Sequence, residues 1–229
     1  MKAEVIGVID ETPLVRTIQF KLSEKVTYKP GQFMSLIFTE GQGAERKVSR
    51  RAYSISHWKK QPTNEITITL NESPEGKFSK KIYNSSLGAT FECDGPHGIF
   101  VPKESKNPIL FIAAGTGITP LMTMMEALKD SGREMCCIYS VKKQENLVFW
   151  KELKNLKEKH KLHCCLTLTQ EDPPAWDGQK GRISKEMIKK VLKPNVEIYI
   201  CGMPDFVKLV AGYLAKLNIY KENIHTERW

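Results

Sequence analysis

The pattern of apolar residues changes near residue 105, and this change most constrains the fold. Before it, short β-rich runs recur between turn sequences such as Lys29-Pro30-Gly31-Gln32, which is typical of an antiparallel barrel or sandwich. After it, apolar strand-like runs alternate with helical segments, which is typical of a doubly wound α/β domain. The polar, proline-bracketed stretch Val101–Pro108 separates the two patterns. We therefore predict domains over residues 1–102 and 107–229.

The predicted strands and helices follow these two patterns. In the first part, β-rich runs occupy Ala3–Ile9, Thr17–Lys21, Gln32–Phe38, Arg50–Ser56, Glu65–Asn71 and Thr90–Cys93, with one helix at Phe78–Asn84. In the second part, strands at Ile109–Ala114, Met135–Val141, Leu162–Leu168, Val196–Cys201 and Ile224–Thr226 alternate with helices at Pro120–Asp130, Glu145–His160, Ser184–Leu192 and Pro204–Leu217. The continuous apolar run Ile109–Ala114 indicates a parallel strand that is buried on both faces.

The formal net charge is +9, and most of the excess is lysine on predicted helix surfaces. Such lysines form a solvated face, or a positive surface that speeds encounter with an acidic protein partner. Nucleic acid fits less well, because the basic residues are not grouped with aromatic residues. No window holds the roughly 20 apolar residues of a membrane span. The first residues lack a signal-peptide pattern, so we expect a cytoplasmic protein.

The six cysteines show no spacing typical of an iron–sulfur site. Two adjacent pairs, Cys136-Cys137 and Cys164-Cys165, lie in strand-like runs, where neighbouring side chains point to opposite faces of the sheet. We therefore expect buried free thiols and no metal site.

Arg51-Ala52-Tyr53-Ser54 is the first candidate ligand-binding segment. Alternate residues of a strand share a face, so Arg51 and Tyr53 can line one cofactor, with Ser54 adjacent. A flavin needs a flat apolar cover, positive charge at its phosphates and a hydrogen bond near its N5 atom. These side chains can supply all three, and an ordinary barrel strand with a surface arginine is the alternative.

Gly76-Lys77-Phe78-Ser79 opens the predicted helix of the first part. Gly76 permits close backbone approach, and the N–H groups at the helix start favour an anion. Together with Arg51, this segment predicts a two-sided clamp on a pyrophosphate. A turn that caps a short helix is the alternative.

Two glycine-containing loops follow strands of the second part. Gly115-Thr116-Gly117-Ile118-Thr119-Pro120 stands between a strand and a helix, where a doubly wound sheet binds nucleotides. It is not a Walker loop, because no Gly-Lys-Ser/Thr follows, and a plain tight turn is the alternative. Cys201-Gly202-Met203-Pro204 has the same context. Two such loops can share one ligand, with Cys201 packed against a nicotinamide ring.

Together these residues resemble the ferredoxin–NADP⁺ reductase superfamily over nearly the whole chain. Its Arg-x-Tyr-Ser, Gly-x-x-Ser and Gly-Pro-x-Gly-x-Phe motifs are matched at residues 51–54, 76–79 and 95–100. Its Gly-Thr-Gly-Ile-Thr-Pro and Cys-Gly-x-Pro loops are matched at residues 115–120 and 201–204. The resemblance implies a six-stranded antiparallel FAD-binding barrel followed by a parallel-sheet nucleotide-binding α/β domain.

The final residues resemble those of plant-type and bacterial reductases, in which a glutamate precedes a terminal aromatic that stacks on the flavin. Here that pair is Glu227 and Trp229. The resemblance implies that Tyr53 and Trp229 sandwich the isoalloxazine rings. It also implies that Ser54, Cys201 and Glu227 form the polar surround of the hydride-transfer site.

Ser140-Val141-Lys142-Lys143 occupies the region where members of the family recognise the 2′-phosphate of NADP. Ser140 followed by Lys142 can accept that phosphate, and no acidic residue within the segment repels it. The family's usual arginine and its downstream Lys-x-x-x-Tyr pattern are missing, which keeps NAD as an alternative. We expect FAD and NADP as the cofactors.

These observations predict an FAD-dependent reductase that takes hydride from NADPH and passes electrons to a small acidic carrier, ferredoxin or flavodoxin. A reductase component of an oxygenase or another redox complex, NADH-dependent in one version, is the first alternative. A non-catalytic flavin-bound redox sensor is the second, and the intact loop Gly115–Pro120 argues against it.

Overall fold

The chain forms two compact units, each with its own sheet and core. The computed structural model describes residues 1–41, 46–72, 76–160 and 162–228. The first unit is Met1–Val101 and the second is Pro102–Trp229. Within the described ranges, no helix combines the length and the apolar character that crossing a membrane requires.

The first unit is a six-stranded antiparallel barrel, as predicted. Its strands lie in the order β4-β3-β6-β1-β2-β5. The outermost strands meet through an antiparallel bridge between Ile55 and Ile68, supported by a 3.0 Å hydrogen bond from the Ser56 N–H to the Thr67 carbonyl. The elements are β1 Lys2–Thr12, β2 Val15–Val26, β3 Phe33–Glu40, β4 Lys47–Ser54, β5 Thr63–Asn71, α1 Lys77–Tyr83 and β6 Thr90–His97.

Alternating side chains of these strands fill the barrel. Ile18 and Phe20 of β2, Met34 and Leu36 of β3 and Ile68 of β5 are all fully buried. Each such side chain contributes about 1.5–3 kcal/mol on leaving water. The recurring β-rich runs and the turn sequences between them predicted these strands.

The second unit is built on a six-stranded, all-parallel sheet in the order β10-β9-β8-β7-β11-β12. The central strands are buried along their length, which confirms the parallel sheet predicted from the apolar run of β7. The elements are β7 Ile109–Ala114, α2 Ile118–Leu128, β8 Met135–Val141, α3 Trp150–Lys159, β9 Leu162–Leu168, β10 Gln179–Lys180, α4 Lys185–Val191, β11 Glu197–Gly202, α5 Pro204–Lys216 and β12 Ile224–Arg228.

The strand order places a topological switch point between β7 and β11. From β7 the chain runs outward through β8, β9 and β10, and it then returns to the other side of β7 to form β11 and β12. In open α/β sheets, ligands bind in the crevice outside the carboxyl ends of the strands at such a switch point.

The predicted helix Glu145–His160 is wrong at its start, because α3 begins only at Trp150. The preceding residues Leu147, Val148 and Phe149 are buried, and Phe149 adopts a left-handed backbone with φ of 58°. Burial of this apolar run in the core stabilises the protein more than an earlier start of the helix would. The two-residue strand β10 was not predicted, because its sequence, Gln179-Lys180, is short and polar.

Candidate nucleotide- and flavin-binding sites

In the first unit, the candidate flavin segment lies on β4, the first strand in the order β4-β3-β6-β1-β2-β5. Arg51 and Ala52 are exposed, whereas Tyr53 and Ser54 are partly buried. Tyr53 packs against the barrel core. Burial raises the pKa of Tyr53 to about 12, although the nearby Arg51 guanidinium opposes the rise. Tyr53 therefore presents an uncharged aromatic ring near neutral pH.

The structure brings Arg51 to the beginning of α1. The Arg51 Cζ atom lies 4.9 Å from the centroid of the Phe78 ring, a cation–π contact. The Phe78 ring in turn contacts Phe38 of the barrel at 4.5 Å. The Ser79 hydroxyl donates a 3.0 Å hydrogen bond to the Gly76 carbonyl, and Lys77 pairs with Glu40. The Arg51 guanidinium and the turn at Gly76–Ser79 therefore both lie next to the Phe78 ring.

In the second unit, the first glycine loop forms a tight turn at the carboxyl end of β7. Gly115–Gly117 is one turn of 3₁₀ helix that leads directly into α2. The Thr119 hydroxyl donates a 2.5 Å hydrogen bond to the Thr116 carbonyl and holds the turn closed. Pro120 is buried within the first turn of α2, where its missing N–H costs little.

Gly115 keeps its backbone open to a ligand. It is exposed and has a φ of 55°, a left-handed conformation that favours glycine. A Cβ added at Gly115 would find no atom of the described residues within 4 Å. A phosphate-sized group can therefore approach this backbone closely.

Gly117 does the opposite, because its backbone packs against the second glycine loop. A Cβ at Gly117 would overlap the carbonyl oxygen of Cys201 and come within 2.8 Å of the Gly202 nitrogen. Cys201 is buried at the end of β11, while Met203, which precedes α5, is 61% exposed. The structure thus brings the loops Gly115–Pro120 and Cys201–Pro204 into contact at the switch point.

Glu227 is positioned beside Cys201 by the pairing of β12 with β11. The two residues are direct register partners. Farther along the same strands, His225 Nε2 lies 3.0 Å from Glu197 Oε2, and the His225 ring stacks on Tyr199 with centroids 4.5 Å apart. This anchor was missed in the sequence, because Glu197 and His225 come together only through the register of the sheet.

The candidate 2′-phosphate segment lies at the carboxyl end of β8. Ser140 is buried in the strand, and Lys142 is exposed just beyond it. The segment after β9 runs alongside, and Glu171 Oε2 accepts a 2.7 Å hydrogen bond from the Gln144 N–H. Sequence reasoning found no acidic residue in Ser140–Lys143 and missed Glu171, because only sheet pairing brings it near.

The residues present fit the two cofactors implied by the sequence. For FAD, the exposed edge of β4 carries Arg51 over Phe78 beside the partly buried Tyr53. For a nicotinamide dinucleotide, the open backbone of Gly115 lies beside the switch point. Ser54 belongs to the first unit and Trp229 lies outside the described residues. The flavin sandwich and the polar surround of Ser54, Cys201 and Glu227 therefore stay predictions.

Two family models match the chain, one in each unit. The oxidoreductase FAD-binding domain matches residues 3–101, and the oxidoreductase NAD-binding domain matches residues 111–212. The candidate residues of β4 and α1 lie in the first match, and both glycine loops lie in the second.

Three relatives of this chain differ in how much of their own length the chain covers. Ferredoxin–NADP reductase B of Sorangium cellulosum is 27% identical over 100% of this chain and 97% of its own length. Flavohemoprotein B of Dictyostelium discoideum is 29% identical over 95% of this chain and 56% of its own length. The electron transfer component of 2-halobenzoate 1,2-dioxygenase from Burkholderia cepacia is 28% identical over 93% of this chain and 63% of its own length. The chain thus spans under two thirds of the last two.

The fold is also that of a solved reductase. The crystal structure of a ferredoxin NADP⁺ reductase from Neisseria gonorrhoeae with bound FAD and NADP matches with a TM-score of 0.84. The match covers 100% of this chain and 98% of that chain at 23% identity. At this level of identity the match concerns the fold.

We predict that Gly117→Ala destabilises the second unit. The added methyl group overlaps the Cys201–Gly202 backbone, and overpacking of this kind costs about 1–3 kcal/mol. Urea unfolding followed by far-UV circular dichroism measures the change. Gly212→Ala on α5 is the control, because its methyl group meets no described atom within 4 Å and should stabilise the helix by about 0.5–1 kcal/mol. Equal midpoints for Gly117→Ala and the wild type would contradict the loop contact.

Proposed function

Because the chain belongs to the ferredoxin–NADP⁺ reductase superfamily of oxidoreductases, with an FAD-binding and an NAD-binding domain, we propose that it is an NADPH-dependent reductase serving a small acidic electron carrier. The observation that carries the proposal is the backbone contact between Gly117 and Cys201–Gly202 at the switch point, next to Glu227. This contact makes one nucleotide crevice out of two loops that are far apart in the sequence.

In the first unit, we assign FAD to the exposed edge of β4 and the start of α1. Arg51 and the segment Gly76, Lys77, Phe78 and Ser79 would hold the phosphates. Tyr53 would offer an uncharged ring to the isoalloxazine rings, and Ser54 would offer a hydroxyl to N5. The resemblance assigns the opposite face to Trp229, which lies outside the described residues. Bound FAD supplies an acceptor of two electrons that can release them one at a time.

In the second unit, we assign the dinucleotide to the crevice between β7 and β11. Gly115, Thr116, Gly117, Thr119 and Pro120 form the pyrophosphate loop, and Ser140 with Lys142 receives the 2′-phosphate. Cys201, Gly202 and Met203 border the nicotinamide, and Glu227 adds a carboxyl group beside Cys201. The catalytic set of this proposal is Ser54, Cys201, Glu227 and Trp229. Within the first unit Ser54 would hold a proton near N5, and within the second unit Cys201 and Glu227 would orient the nicotinamide and exclude water.

The choice of carrier rests on charge and on a relative of matching length. A net charge of +9 favours encounter with an acidic protein. The Sorangium relative, a ferredoxin–NADP reductase by name, matches this chain over nearly its full length. Ferredoxin or flavodoxin is therefore the proposed acceptor. All six cysteines carry free thiols, which suits a reducing compartment such as the cytoplasm.

The second candidate function is a reductase component of an oxygenase that uses NADH. Two observations favour it. The Burkholderia relative is an electron transfer component of a dioxygenase, and Glu171 stands beside the segment proposed for the 2′-phosphate. A carboxylate there repels a phosphate and can accept hydrogen bonds from a ribose diol.

Anaerobic titration tests the proposed reductase activity. The purified protein, reconstituted with FAD, is titrated with NADPH and separately with NADH while the visible flavin absorption is recorded. We expect bleaching at lower NADPH than NADH concentration, and subsequent reduction of added ferredoxin or flavodoxin. Bleaching by NADH alone would move the assignment to the second candidate. A protein that retains no FAD once the excess has been removed would contradict both candidate functions.

We predict that Arg51→Ala weakens FAD binding about tenfold to hundredfold. Hydrogen bonds to charged groups contribute about 1.5–3 kcal/mol, and 1.4 kcal/mol corresponds to about a factor of ten. Equilibrium dialysis or fluorescence quenching measures the FAD dissociation constant. Arg50→Ala is the matched control on the same strand, since Arg50 pairs with Asp94 at 2.7 Å. Equal losses in the two variants would contradict the role of Arg51.

We predict that Lys142→Ala raises the KM for NADPH about tenfold and leaves the KM for NADH unchanged. The variant removes a charge-assisted hydrogen bond of about 1.5 kcal/mol that only the 2′-phosphate makes. Steady-state kinetics with an artificial acceptor and each nucleotide measure the effect. A parallel rise for both nucleotides would place Lys142 outside the 2′-phosphate site.

A further inference from the structure

Two thiols outside the proposed cofactor sites stand side by side in the second unit. Cys137 on β8 and Cys164 on β9 are direct register partners in the parallel sheet. Their side chains therefore leave the same face of the sheet. The two side chains are hydrogen-bonded to each other. Neighbouring strands lie about 4.8 Å apart, inside the roughly 4.4–6.8 Å that a disulfide requires between Cα atoms.

The two thiols differ in their surroundings. The hydrogen bond from Cys137, helped by the ammonium group of Lys157 on α3, lowers the pKa of Cys164. The same hydrogen bond, together with burial, raises the pKa of Cys137. Cys164 is partly exposed, whereas Cys137 is fully buried. A partly exposed thiolate is the form of cysteine that reacts with oxidants.

We propose that Cys137 and Cys164 form a redox site that hydrogen peroxide, or an organic hydroperoxide, converts reversibly into an intrachain disulfide. The Cys164 thiolate attacks a peroxide oxygen, the O–O bond breaks, and Cys164 becomes a sulfenic acid as hydroxide leaves. The Cys137 sulfur then attacks the Cys164 sulfur, and the sulfenic oxygen leaves as water. Two thiols and one hydrogen peroxide give one disulfide and two waters.

The disulfide can be reopened by thiol–disulfide exchange. A reductant thiolate attacks one of the two sulfurs through a mixed disulfide, and a second reductant thiol completes the return of both cysteines to thiols.

The other thiols of these strands make a built-in control. Cys136 and Cys165 alternate with the pair and leave the opposite face of the sheet, and their register partners are His163 and Ile138. Burial raises the pKa of Cys136 to about 12 and also raises the pKa of Cys165. Both should therefore stay reduced under mild oxidation.

Mild oxidation of the intact protein, followed by alkylation in denaturant, tests the site independently of flavin or nucleotide. We expect brief peroxide treatment to lower the intact mass by two hydrogens and to protect two thiols from iodoacetamide. Peptide mapping should show a Cys137–Cys164 link that dithiothreitol removes. The proposal is overturned if all thiols stay alkylatable, if the link joins other cysteines, or if Cys164 accumulates as sulfinic acid without a disulfide.

Single substitutions separate the roles of the two sulfurs. Cys164→Ser should abolish the mass loss, while Cys137→Ser should leave Cys164 to oxidise to sulfenic and sulfinic acid. The matched controls Cys136→Ser and Cys165→Ser should form the disulfide as the wild type does. Circular dichroism checks that each variant is folded. If a variant does not fold, peptide mapping of the oxidised wild type decides whether Cys137 and Cys164 form the disulfide. Disulfide formation that fails in the controls but persists in Cys164→Ser would refute the assignment.

Discussion

The contact between Gly117 and the backbone of Cys201–Gly202 is the constraint on which the nucleotide-binding unit depends. It exists because β11 returns to the side of β7 opposite β8, so that the loops after β7 and β11 leave adjacent strands. No side chain fits between the two backbones. Gly115, two positions earlier, has the reverse environment and presents an open backbone. Gly117 lets the two loops pack together, and Gly115 leaves backbone that a ligand can approach.

The candidate site of the first unit is formed in a different way, because an antiparallel barrel has no switch point. Its candidate site lies where β4 leaves side chains exposed and where α1 comes close. The contact of Arg51 with the Phe78 ring joins the two elements, and Phe78 is itself seated on the barrel core. The Arg51 guanidinium is thereby held by packing, and a pyrophosphate bound as proposed would cost less entropy than with a mobile arginine.

The parallel sheet also decides which thiols meet. Adjacent cysteines in the sequence point to opposite faces, and the register of β8 with β9 instead pairs Cys137 with Cys164. The same register carries Glu171 to the segment after β8. A redox-sensitive pair and an acidic neighbour of the nucleotide segment thus have one origin, which is the alignment of two parallel strands.

The sequence by itself determined the elements and the class of site. Closely spaced β-rich runs between turn sequences predicted a barrel or sandwich, and the resemblance implied the barrel. The apolar run of β7 predicted a buried parallel strand, because local burial leaves a local pattern. The strand–loop–helix context marked Gly115–Pro120 and Cys201–Pro204. The sequence could not reveal the late start of α3, which depends on the burial of Leu147, Val148 and Phe149 in the core. Nor could it reveal the His225–Glu197 anchor, the approach of Glu171, or the Cys137–Cys164 pair. Those contacts join residues far apart in the chain, and only strand order and register, set by the packing of the whole sheet, decide them.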